Sequence, residues 1–309
     1  MSWLDDTVAD GHSFALCLTH DVDRPYKTYQ TLHRTLAERD PSHLLDLLPD
    51  RNPYWTFEEV RALEDRLGVR SSWYFLDEQY LFGDRPPTDW LDPEAWKLYA
   101  GRYRLDDPDI VTEIETLAAG GWEVGLHGSY DSFRDAELLA REKRRLEDVL
   151  GEPVTGIRQH YLNLDRPATW ERQRSVGLRY DASPGSSQTV GFTDGYEPLR
   201  PFDDDFLVFP VTVMDAALPD PETRPNEGLA LCERLLAEAE DHTAVMSVLW
   251  HPRMFSDDFP GYTEIYRRLI ERARELGAWI GPVGDLYESL TEGKRHQHSI
   301  GDTAEDGRS

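Results

Sequence analysis

The sequence predicts one α/β domain built as a parallel barrel, on three observations. Short apolar runs recur along the chain, helical patterns alternate with them, and run after run ends in a histidine or a carboxylate. Strands alternating with helices imply parallel pairing, and ionisable groups at the carboxyl ends of such strands stand where α/β folds build their sites. The 309 residues would suffice for one such barrel or two small domains, and the apolar runs show no break. The expected unit covers residues 1–290, with a polar tail over 291–309.

Phe14-Ala-Leu-Cys-Leu18 is the first strand, covered on both faces, and it runs into Thr19-His-Asp-Val-Asp23. Carboxylates two residues apart point the same way on an extended chain, so Asp21 and Asp23 face one cavity with His20 turned aside. Like charges held that close favour a cation, and a divalent ion would take one carboxylate as ligand and leave the other as base. The competing reading makes Asp23 a helix N-cap ahead of Arg24-Pro25.

Tyr26 to about Arg39 reads as a helix. Thr56 and Glu59 form a capping box for the next helix, about Phe57 to Leu67, which stops at Gly68. Ser71 to Leu76 is the second strand. Residues 77–107, rich in aromatics and holding Pro86, Pro87 and Pro93, form an irregular excursion over one barrel mouth and line a groove. Ile110 to Ala119 is helical, Trp122 to His127 is the third strand, and Ala136 to Leu150 is a helix ended by Gly151. Val154 to Arg158 is the fourth strand and leads to His160 and Tyr161. A short helix over Thr169 to Val176 precedes two further strands, Leu178 to Asp181 and Leu207 to Val213. After a helix over Glu227 to Glu240, Ala244 to Trp250 is the most apolar strand and delivers His251-Pro252. A helix over Tyr262 to Leu276, a strand from Gly277 to Val283 and a helix to about Leu290 complete the series, for seven or eight strands in all.

Acidic residues number 59 against 33 basic ones, a formal charge of −26, and only Lys27, Lys97, Lys143 and Lys294 are lysines. That charge repels phosphate backbones and anionic lipid heads, so neither nucleic acid nor a membrane is an expected partner. Its even spread fits a protein adapted to high salt, where counterions screen self-repulsion. Cys17 and Cys232 lie in apolar patterns and read as core residues. The N-terminus lacks a basic segment followed by an apolar one, and no apolar run reaches 18 residues, so the expected location is cytoplasmic.

The chemistry expected of this rim is metal-dependent hydrolysis. Asp23 and His127 would bind one ion, with the third ligand from Asp131, four residues after His127, or from His160. His251 is the candidate general acid, with Arg158 orienting Asp21 as base. Tyr130, Tyr161, Trp73 and Tyr74 are candidates for stacking on a substrate ring. His296 and His298 in the tail are weaker metal candidates.

Thr19-His-Asp-Val-Asp23, Gly125-Leu-His127-Gly-Ser-Tyr130, Arg158 and Leu249-Trp-His251 stand in the order of the motifs of polysaccharide deacetylases, carbohydrate esterase family 4. The chain resembles that family from about residue 14 to residue 285. The resemblance implies a distorted (β/α)7 barrel that removes acetyl groups from N-acetylated sugars with a divalent metal, zinc being the expected one. It implies Asp21 as base, Asp23 and His127 as metal ligands, Arg158 as orienting residue and His251 as acid. The family's second motif carries two histidines, whereas the second position here is Asp131, so the ion shifts toward His160 or is lost. Two alternatives compete: a non-catalytic glycan-binding barrel without metal, and a metal-dependent hydrolase of another amide or of a glycosidic bond.

Overall fold

The structure is a computed structural model and describes residues 11–27, 31, 35, 52–100 and 102–291. Among the described residues nine parallel strands form one sheet: β1 (Ala15–Val22), β2 (Ser72–Leu76), β3 (Glu123–Gly128), β4 (Gly156–Gln159), β5 (Tyr180–Asp181), β6 (Leu207–Val208), β7 (Val213–Met214), β8 (Val245–Leu249) and β9 (Trp279–Gly281). Around it lie α1 (Phe57–Leu67), α2 (Pro93–Tyr99), α3 (Pro108–Ala119), α4 (Ala136–Leu150), α5 (Ala168–Ser175), α6 (Glu227–His242), α7 (Tyr262–Glu275) and α8 (283–291). The expected distorted barrel is what forms. The expected helix over Tyr26 to Arg39 lies largely outside the described residues, as do the tail and its two histidines.

The strand order β6-β5-β4-β3-β2-β1-β8-β7 puts β1 near the middle of the wall. Every residue of β1 is buried, as its apolar run requires. A strand has two edges to pair. One edge of β1 carries β8 over Ala15–Thr19, and the other is divided, β9 taking Ala15–Cys17 and β2 taking Thr19–Val22. Apolar side chains of β1, β8, α6 and α7 fill one core layer, and those of β2, β3, α1, α3 and α4 another.

Two departures from expectation have identifiable causes. The run Leu207 to Val213 is two short strands instead of one: Pro210 lacks the N–H a ladder needs, and β6 turns aside to meet Leu199 in an antiparallel bridge. Among the described residues no ladder joins β6 to β7, so the wall has a seam there. The capping box is also absent, because the Thr56 hydroxyl donates to the Pro252 carbonyl across the barrel rim and makes no cap bond.

Beneath the rim lies a buried polar hub. The Glu64 carboxylate accepts from Ser71 Oγ (2.8 Å), Trp122 Nε1 (2.6 Å) and Tyr266 OH (2.6 Å), and stands 2.9 Å from His20 Nε2. His20 Nδ1 meets the Trp250 carbonyl at 2.7 Å, so this histidine is turned into the core, aside from Asp21 and Asp23. The net charge of −26 makes the folded chain self-repulsive. The thermal midpoint is accordingly expected to rise as KCl is raised from about 0.1 M to about 1 M, where the screening length falls from about 10 Å to about 3 Å, and scanning calorimetry across that series checks it.

Candidate active site

Strand register brings the key side chains to one height. Asp21 pairs with Tyr74, Leu76 with His127, and His127 with Arg158, so the carboxyl ends of β1 to β4 meet at a single rim. There a cavity of about 470 Å³ is lined by Asp21, Asp23, His127, His160, His251 and Arg253, with Tyr161, Leu162 and the 185–188 loop on its outer side.

Asp21 is nearly fully buried and faces Arg158, whose Nη1 donates to its Oδ1 at 2.8 Å and to Thr19 Oγ1 at 2.7 Å. Arg158 itself is fixed by donating Nε–H to the Ala182 carbonyl and by lying over the Tyr74 ring, 4.8 Å from its centroid. Gly125 makes room for that ring, since a Cβ there would come within 2.6 Å of it. Burial pushes the Asp21 carboxyl up, but Arg158, with His127 and His251, outweighs it and holds the group below the ordinary carboxylate value. Asp21 is therefore an ionised, oriented carboxylate.

His251 faces it from the other side of the cavity. Asp215, the residue after β7, accepts both the His251 backbone N–H and its Nδ1–H, the latter at 2.8 Å, which leaves Nε2 for the cavity. Burial and Arg253 push the His251 pKa down, yet Asp215 prevails and the group ends above its ordinary value. The imidazole thus keeps a proton to give near neutrality.

His127 Nδ1 lies 2.9 Å from the Arg158 carbonyl, an acceptor only, so the proton is on Nδ1 and the Nε2 lone pair is 3.8 Å from Asp21 Oδ2. Burial lowers its pKa and keeps it neutral. Asp23 Oδ1 is held by Arg253, and Oδ2 takes no hydrogen bond among the described residues. Burial raises the Asp23 carboxyl, but Arg253, His251 and Arg102 hold it well below the ordinary value. One carboxylate oxygen and one imidazole lone pair are the donors a divalent ion takes, so the residue chemistry fits such an ion. Among the described residues no three His, Cys, Asp or Glu side chains stand close enough together to hold one as they are. Two guanidiniums explain this: Arg253 neutralises Asp23, and Arg102 donates to the Asp23 carbonyl and stands 3.5 Å from His160 Nε2.

His160 lines the cavity, its ring 5.2 Å from that of His127, and Tyr161 beside it is 52% exposed. Tyr161 and Leu162 both have left-handed backbone, φ 58° and 56°, which non-glycine residues adopt at a cost of about 1–3 kcal/mol each where a site demands it. Tyr130 is part-buried and edge-on to Tyr161 at 5.6 Å. Three expected site residues are placed elsewhere. Asp131 turns away to Arg85, Arg134 and Tyr99 and lines a neighbouring cavity of about 600 Å³. Trp73, expected to stack on a substrate ring, is fully buried between His20, 4.5 Å away, and Phe57, 5.4 Å away, and Tyr74 serves beneath Arg158.

Comparison with solved structures bears on this arrangement. The chain superposes on a structure from Mycobacterium smegmatis provisionally named a polysaccharide deacetylase, with TM-score 0.61 and 17% identity, covering 93% of this chain and 94% of that one. The chain has the polysaccharide deacetylase fold. A Pseudomonas aeruginosa structure named in the same provisional way matches this deacetylase fold at TM-score 0.58 and 14% identity, over 94% of this chain and 98% of the other. No family model matches the sequence, and no curated protein does.

Asp215, Glu78, Arg102, Arg253 and the Ser186–Gln188 loop escaped the sequence reading. Asp215 and Glu78 follow strand ends, so the rule that strands deliver polar groups to the rim of a deacetylase fold would have found them. Arg102 lies in the irregular excursion, where no periodicity marks it.

Proposed function

We propose that the chain is an amide hydrolase that removes acetyl groups from N-acetylated sugars. The observation that carries this reading is one cavity flanked by a carboxylate held ionised by Arg158 and an imidazole held protonated by Asp215. Amide hydrolysis needs such a base and such an acid, one to take a proton from water and one to give a proton to the leaving nitrogen. Asp21 takes a proton from the attacking water, whose oxygen bonds to the acetyl carbon. His251 then gives its Nε2 proton to the sugar nitrogen as the C–N bond breaks, leaving acetate and a free amine. When bound at Asp23 and His127, a divalent ion, zinc being the candidate, supplies Lewis-acid polarisation of the acetyl carbonyl. Tyr161, and Tyr130 behind it, offer ring faces to the sugar. The negative surface favours a neutral glycan over an anionic one.

Acetate release from tri-N-acetylchitotriose, measured in zinc-supplemented high-salt buffer, tests the reading. Release by the wild type and a loss of about 10²–10⁴-fold in Asp21→Asn are expected. Absence of release from any N-acetylated glycan would sink it. A metal-free glycan-binding barrel is the second reading, and it draws on Arg253 and Arg102, cations already seated against Asp23 and His160.

A further inference from the structure

We propose that His160, held by Glu78, supplies the third donor of the ion site, and that Asp131, at the position where the second histidine of the family motif would stand, has become an anchor for the 77–107 segment. The ion itself rests on the deacetylase reading above; the assignment of donors rests on geometry.

Asp131 is fully committed elsewhere. Its Oδ2 accepts from Arg85 Nη1 at 3.0 Å and Tyr99 OH at 3.1 Å, and its Oδ1 accepts from Arg134. Arg85 is further tied to Asp89 at 2.9 Å and lies over the Tyr99 ring at 4.4 Å. Two residues of the excursion, one in α2, thus converge on this carboxylate, and turning it inward would break charge-assisted bonds that hold the segment down.

His160 has the opposite arrangement. It lines the same cavity as Asp23 and His127. Its Nδ1 is 3.0 Å from Glu78 Oε2 and its Nε2 is 3.5 Å from Arg102 Nη2. A guanidinium only donates, so the Arg102 contact favours the tautomer with the lone pair on Nε2 and the proton on Nδ1, facing Glu78. A carboxylate on the rear nitrogen and a lone pair on the front one is the arrangement that orients a ligating histidine. Glu78 is fixed in turn by the backbone N–H groups of Gln79 and Tyr130. Tyr130 sits between His127 and Asp131, so the segment after His127 contributes a main-chain donor that sets Glu78, and through it His160. An arriving ion has to displace Arg102 from Nε2, so metal and guanidinium compete for one lone pair.

Cobalt(II) is the probe, because a bound paramagnetic ion shifts the exchangeable Nδ1–H protons of its histidine ligands far from the other resonances. Two such signals are expected from the wild type, one from His160→Gln, and two from Asp131→Asn. Cobalt affinity by calorimetry is expected to fall about ten- to hundredfold in Glu78→Leu and to recover in Glu78→Gln, whose amide oxygen can still accept from Nδ1–H. Two signals persisting in His160→Gln would overturn the assignment, as would a wild type that takes up no cobalt or an Asp131→Asn variant that loses the ion. The measurement is independent of acetate release: cobalt bound through His160 with no deacetylation on any glycan upholds the donor set and removes the substrate reading.

Discussion

Replacing His251 with alanine is expected to lower kcat/KM for acetate release by about 10²–10⁴-fold, the contribution of a positioned acid, while Asp215→Asn moves the pH profile as well as the rate. The proposed mechanism needs Asp21 ionised and His251 protonated. Asp21 is held below the ordinary carboxylate value, so the acid limb lies low. His251 is held above the ordinary imidazole value of about 6.5, so activity persists through that pH and is lost as pH rises through the raised value. Without the Asp215 charge, burial and Arg253 are opposed by Asp23 with no help from Asp215, and the His251 pKa falls. The alkaline limb should then move to lower pH, and a kcat/KM profile of both proteins reads the shift. A rate loss with an unmoved limb would show that Asp215 only packs against His251.

Glu64→Ala is expected to cost about 3–5 kcal/mol of stability, read by urea unfolding, although Glu64 touches nothing in the cavity. The substitution strands His20, Ser71, Trp122 and Tyr266, four donors in a region closed to water. Glu64 also sets an acid limit. Burial raises its carboxyl, but the bonds from His20, Tyr266 and Trp122 prevail and lower it. A group with a lowered folded pKa contributes its full stability above the unfolded value, about 4.3, and loses it as pH falls through the folded one. The variant should therefore be less stable at neutral pH and show a smaller loss on acidification than the wild type.

How far the sequence could be read followed the range of the interactions involved. Strand ends delivering Asp21, Asp23, His127, His160 and His251 were legible because burial on both faces writes a continuous apolar run that stops where the polar group begins. The turning of His20 away from the aspartates followed from the two-residue period alone. Trp73 was misread because the period does not say which side of β2 is core, and here its ring fills the layer under α1. Asp131 was misplaced and Glu78 missed because what fixes each is a partner far along the chain, Arg85 in one case and His160 in the other. Spacing along one segment carries no trace of such contacts. The capping box failed for the same reason, its hydroxyl being drawn to Pro252, 196 residues away.

The seam between β6 and β7 falls beside Asp215 and away from the strands that carry Asp21 and His251. Asp21 belongs to a strand clamped on both edges, by β8 on one side and by β9 and β2 on the other. Asp215 follows β7, which is laced to β8 alone. His251 follows β8, held by β1 on one edge and by β7 on the other, so the proposed base and acid both stand on fixed posts while Asp215 stands on a leaf laced along one edge. Displacement of the wall at the seam therefore reaches the Asp215–His251 contact before it reaches Asp21 and its arginine.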